Sequence, residues 1–190
     1  MKKTFSLLLA CLLLLALTAG CGTGKDPAAS GKVETPKKFP VFETKDLNGN
    51  TVSSDIFAKN AVTVVNIWFI GCKACVDEMP DLEEISKSYE GKGVAFYSIC
   101  TDLGETADAE DQAKRVLSDT GVTYPTLYPT AANTELGEFL MKIYAFPTTV
   151  LVNRNGEIIG NPIEGSINSD AGIKHLKDRI DKIVEADSKE

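Results

Sequence analysis

Residues 61–70, AVTVVNIWFI, are apolar or β-branched at every position but Asn66. A run of that length and composition suits a strand buried on both faces at the centre of a sheet. It leads straight into GCKAC, and Cys75, Met79, Leu82, Ile85 and Tyr89 then recur at helical spacing. A helix is therefore expected from near Cys72 to about Tyr89. Strand passing directly into helix is the opening of an α/β unit, and the remaining pattern continues it. Gly93–Cys100 reads as the next strand, 108–119 as a helix and 133–143 as a shorter one. Thr148–Asn153 is a further strand, and RNGE is a tight turn that brings Glu157–Gly160 back as a hairpin. Ser169 or Asp170 caps a closing helix with the stripe Ile173, Leu176, Ile180, Ile183. Ahead of all this, Phe39–Phe42, the LNGN turn at 47–50 and Val52 suggest an N-terminal β-hairpin. The expected architecture is a mixed central sheet flanked by helices, with its chemistry at the carboxyl ends of the parallel strands. Cys72 falls at such an end.

The first twenty residues bear on location. Lys2 and Lys3 precede an apolar stretch from Phe5 to Leu17, too short to span a bilayer, which has the form of an export signal. It ends in LTAGC, which resembles the lipobox of bacterial lipoproteins, although Thr18 stands where Leu is commoner. Cleavage after Gly20 with a lipid on Cys21 is the expectation, and an ordinary signal with an incidental Cys21 is the alternative. Residues 22–38, rich in Gly, Pro, Ser, Ala and Lys, read as a flexible tether. Three segments follow: a signal peptide at 1–20, a lipidated cysteine and tether at 21–38, and one domain at 39–190.

Losing residues 1–20 leaves 18 of the 20 basic residues against 27 acidic ones, a net charge of −9. No nucleic-acid partner is expected of such a surface, nor an electrostatic grip on anionic lipid.

Five cysteines less Cys11 and Cys21 leave Cys72, Cys75 and Cys100. An odd number is no disulfide framework, whereas a close pair outside the cytoplasm can cycle between dithiol and disulfide. At a strand-to-helix junction the Cys72 thiolate faces free N–H groups and the positive end of the helix, which lowers its pKa. Cys75, one turn on, faces the core. An exposed attacking thiol and a buried resolving thiol suit disulfide exchange. Glu78 lies within the apolar arc of Met79, Leu82 and Ile85. Buried there it has a raised pKa and is placed to take the Cys75 proton; alternatively, Pro80 distorts the turn and lets it reach solvent. A structural zinc site takes four ligands, usually as two close pairs. Beyond Cys72 and Cys75 only Cys100 and the one histidine, His175, remain, far apart in sequence, and no metal or other cofactor is expected. Cys100 is expected to be a small core hydrophobe and His175 a solvated residue.

NIWFIGCKACVDEMP together with AFPTTVLVNRNGEIIG resembles the TlpA/ResA-like thiol-disulfide oxidoreductases of the thioredoxin superfamily, from about Phe39 to Val184. The resemblance implies a thioredoxin-like fold and a membrane-tethered extracytoplasmic enzyme on the bacterial cell membrane. It implies Cys72 as nucleophile, Cys75 as resolving cysteine and Glu78 as the acid that tunes them. Pro147 matches a cis-proline facing the cysteines, with Phe146 before it in the client seat. Trp68 matches an aromatic packed beside the site, and Pro80 a proline that kinks the helix. The chain departs from the pattern at Gly71, where many relatives have Trp, and at Asn66, where thioredoxin has a buried Asp. Reduction of client disulfides is the implied direction, with electrons from a membrane thiol donor. Apocytochrome c or an oxidised repair enzyme is the implied client. An oxidase that donates its disulfide, or a non-enzymatic metal-delivery lipoprotein, is the alternative.

Overall fold

The computed structural model describes residues 37–189. Two short strands, β1 (Glu43–Lys45) and β2 (Thr51–Ser53), pair antiparallel and lead into a 3-10 turn at Ser54–Lys59. Then come β3 (Val62–Trp68), α1 (Lys73–Ser88), β4 (Val94–Cys100), α2 (Ala109–Thr120) and β5 (Thr126–Leu127). The chain closes with α3 (Glu135–Leu140), β6 (Thr148–Asn153), β7 (Ile163–Glu164) and α4 (Asp170–Asp187). The main sheet has the order β5-β4-β3-β6-β7. Its first three strands are parallel, and β6 and β7 run antiparallel to their neighbours.

All seven residues of β3 are buried, as its near-continuous apolar sequence requires of a central strand. Side chains alternate across the sheet. Val65 and Ile67 join Phe39, Phe42, Phe57, Leu136 and Phe139 on one face. Val62 and Val64 meet Leu82 and Ile85 of α1 and Leu176 and Ile180 of α4 on the other. A third cluster at the carboxyl end of β3 gathers Trp68, Cys72, Cys75, Met79, Cys100 and Leu103. Thus the same packing that covers the sheet delivers both cysteines to the end of its central strand.

Several boundaries differ from the sequence reading. The opening hairpin forms at 43–53, and Phe39 and Phe42 are core side chains ahead of it. Lys37 and Lys38, expected in the tether, are paired with the domain: Lys37 O accepts from Ile158 N at 2.8 Å, and Lys38 bridges to Glu157. The segment at 157–160 turns back on β6 through the bridge Ile158–Val152, with Asn153 N donating to Glu157 O and Ile159 N to Leu151 O at 2.9 Å each, but the strand beside β6 at the sheet edge is β7. The strand β5 was not anticipated, because two residues leave no periodicity to read. Ser169 is the cap of α4, accepting from Gly172 N at 3.1 Å. The signal peptide, Cys21 and residues 22–36 lie outside the described residues. Among the described residues no helix is long and apolar enough to cross a membrane.

Candidate active site

Trp68 ends β3, and residues 69–71 carry the chain to α1. That link is fastened to the loop after β4: Ile70 N donates to Asp102 Oδ2 at 2.8 Å, and Thr101 N to Trp68 O at 2.9 Å. Cys72 occupies the N-cap of α1, where its Sγ accepts from Cys75 N at 3.1 Å. It is joined to Cys75 by a disulfide, with the two Cα atoms 5.2 Å apart. When the bond is reduced, a thiolate on Cys72 meets that N–H and the positive end of a 16-residue helix, and both favour the charged form. Lys73 adds little, since its ammonium is paired with Asp77 on the next turn.

The expected contrast in exposure is narrower than the sequence suggests. Cys72 is 6% exposed and Cys75 is fully buried, because Trp68, Met79 and Leu103 close around both in the disulfide form. Gly71 leaves the outer side open, being exposed and without a side chain.

Glu78 is fully buried one turn beyond Cys75. The helix continues through Pro80 and does not turn the carboxylate out, so the solvent-facing alternative is excluded. Its Oε1 accepts from Asn66 Nδ2 at 2.9 Å and its Oε2 from Ile167 N at 2.8 Å. Burial raises its pKa from 4.5 to about 7 against those two donors and the Ser166 hydroxyl. Ile167 lies 89 residues away in sequence and acts through its backbone N–H. No side-chain motif could have announced it.

The Phe146–Pro147 peptide bond is cis. Phe146 stands edge-on to Phe69, 5.2 Å between ring centroids, and both pack against the cysteine cluster. Phe69, which its sequence places within the central strand, lies just past the end of β3 at Trp68 and joins this wall. Pro147 is buried, and its carbonyl accepts from Gly165 N at 2.8 Å. Trp68 is fully buried with Nε1 donating to Ser98 Oγ at 3.3 Å, so it supports the site from below and offers no surface to a client. Cys100 is buried, free and pushed up to about 12 by burial. His175 is exposed on α4. Among the described residues no three His, Cys, Asp or Glu side chains are grouped to hold a metal ion.

A family model described as Redoxin matches residues 34–175. The chain belongs to the Redoxin family. Within that family it groups with the ResA-like thiol-disulfide oxidoreductases of the thioredoxin superfamily. The thiol-disulfide oxidoreductase ResA of Bacillus thuringiensis subsp. konkukian is 30% identical over 131 residues, covering 67% of this chain and 69% of the relative. ResA of Geobacillus kaustophilus is 27% identical over 189 residues, covering 93% of this chain and 98% of the relative. A crystal structure of a thiol:disulfide interchange protein from Chlorobium tepidum shares the fold with a TM-score of 0.59. It is 22% identical and covers 80% of this chain and 96% of its own. This Redoxin-family chain is a thiol-disulfide oxidoreductase.

Proposed function

We propose that the enzyme reduces disulfides of client proteins outside the cytoplasm while held to the bacterial membrane by a lipid on Cys21. The observation that carries the chemistry is the Cys72–Cys75 pair at the N-terminus of α1, with Cys75 N directed at Cys72 Sγ. The Cys72 thiolate attacks one sulfur of the client disulfide, forming a mixed disulfide and releasing the other client sulfur as a thiolate that takes a proton from water. Cys75 then passes its proton to the Glu78 carboxylate and attacks Cys72 Sγ. The Cys72–Cys75 disulfide forms, the second client thiolate leaves, and two electrons have moved to the client. A membrane dithiol donor returns the pair to the reduced state.

Glu78 suits this role because its midpoint of about 7 lets it accept and release a proton near neutral pH. Its charge, when present, opposes a second charge on Cys75 and raises that thiol's pKa, so the resolving thiol stays protonated until Glu78 can take the proton. The client's extended segment lies against Pro147, with Phe146 and Phe69 forming an aromatic wall beside it. Apocytochrome c and an oxidised repair enzyme remain the client classes that the resemblance suggests.

The test is trapping. Cys75→Ser should accumulate mixed disulfides through Cys72, and Cys72→Ser should accumulate none. Equal trapping by both variants would reject the assignment of nucleophile and resolving thiol.

A further inference from the structure

Four strands carry a buried polar residue at one level of the sheet. Thr126, Ser98, Asn66 and Thr149 are neighbours in register across β5, β4, β3 and β6. All four are almost wholly buried. Such a row beneath an otherwise apolar helix face is costly unless its hydrogen bonds are made. Half of it closes on itself: Ser98 Oγ and Thr126 Oγ1 lie 2.8 Å apart, and Trp68 Nε1 donates to Ser98.

The other half reaches out of the sheet. Asn66 Nδ2 donates to Thr149 Oγ1 at 3.1 Å and to Glu78 Oε1 at 2.9 Å. Its Oδ1 has no hydrogen-bond partner among the described residues. Of the two Nδ2 donors, one stays within the sheet on Thr149 and the other leaves it for the Glu78 carboxylate.

We propose that Asn66 is a positioning residue, which fixes the Glu78 carboxyl one turn along α1 from Cys75 and ties it to Thr149, two residues beyond Pro147. This deepens the reading of Glu78 as proton acceptor, on which it rests, by naming what orients that acceptor. Asn66 grips Oε1 and Ile167 N–H grips Oε2, and in this arrangement both only donate, so both favour the carboxylate. The titratable groups beside Glu78 are Cys75 and Asp81 on α1, the latter opposing its charge, and Tyr124 ahead of β5. The Tyr124 hydroxyl is held neutral by burial and by the charges of Glu78 and Glu83. From the remaining neighbours come the neutral donors Asn66, Ile167 and Ser166, and α4 adds the apolar Leu176 and Ile180 to this core.

Carbon-13 carboxyl NMR of the oxidised protein reads the Glu78 midpoint with the cysteines out of the titration. Asn66→Leu, which keeps the branched heavy-atom outline but has no donor, should raise that midpoint by about one to two pH units, the loss of one charge-assisted hydrogen bond. Asn66→Asp should raise it as well and give two coupled steps. In the wild type, the Asn66 side-chain amide should titrate with the same midpoint as Glu78, a measurement that needs no variant to fold. A flat Asn66 amide, or an unmoved Glu78 midpoint in folded Asn66→Leu, overturns the proposal. So does a lower melting temperature with no change in midpoint. If Glu78→Gln leaves disulfide exchange unaltered, the relay fails while this titration stands, so the two readings fail separately.

Discussion

Glu78 should make the oxidised protein lose stability as pH rises towards neutrality, and Glu78→Gln should abolish that loss. Its folded midpoint of about 7 lies above the 4.5 of the free side chain. Between those values the unfolded chain has released a proton that the folded chain retains, so stability falls with pH. The contribution is fully present below about pH 4.5 and gone above about pH 7. At about 1.4 kcal/mol per unit, the interval amounts to about 3 kcal/mol. Asp46 and Glu83 have lowered pKa values, so their contributions change at more acid pH and are shared by both proteins. Glu78→Gln keeps the volume but turns an N–H towards one of two donors, a penalty that does not vary with pH. The comparison is therefore between slopes. Urea unfolding of oxidised wild type and Glu78→Gln from pH 5 to 8 should give a falling wild-type curve and a nearly level variant. Two parallel curves would mean that the carboxyl is not held in the desolvated site described here.

Two further outcomes are expected. Gly137→Ala should destabilise the domain by about 1–3 kcal/mol in urea unfolding, because its Cβ would lie 2.1 Å from Ala131 O and displace backbone under α3; an unchanged midpoint would show that α3 can shift freely. Cys21→Ala should move the protein from the membrane to the soluble extracytoplasmic fraction, and an unmodified mature terminus by mass spectrometry would remove the anchor.

The parts of the fold legible in sequence are those whose own burial writes the pattern. β3 and α1 bury a whole strand and a continuous helix stripe, so residues 61–89 carry their periods openly. The elements misjudged are held by pairing. β5 and β7 have two residues each, and their existence depends on β4 and β6 offering free edges. The Glu157–Gly160 segment does turn back on β6, but it bridges that strand only at Ile158, whose N–H points outward to Lys37 O. At the site, the cysteines and Glu78 were legible because thiol and carboxylate chemistry is rare on a core face. The partners of Glu78 were not. Asn66 stood out only as a departure from Asp, and Ile167 contributes a backbone group that any residue but proline supplies.

The most direct test of disulfide exchange through Cys72 uses the chain's one tryptophan, Trp68, which packs in the same cluster as both cysteines. Its fluorescence should report formation of the Cys72–Cys75 bond when reduced protein is mixed with excess disulfide-bonded client peptide. The rate should rise linearly with peptide concentration, and one client disulfide should be reduced for each protein disulfide formed. Cys72→Ser should show no transfer. A client disulfide left intact by the reduced wild type, or one reduced equally well by Cys72→Ser, would contradict the account.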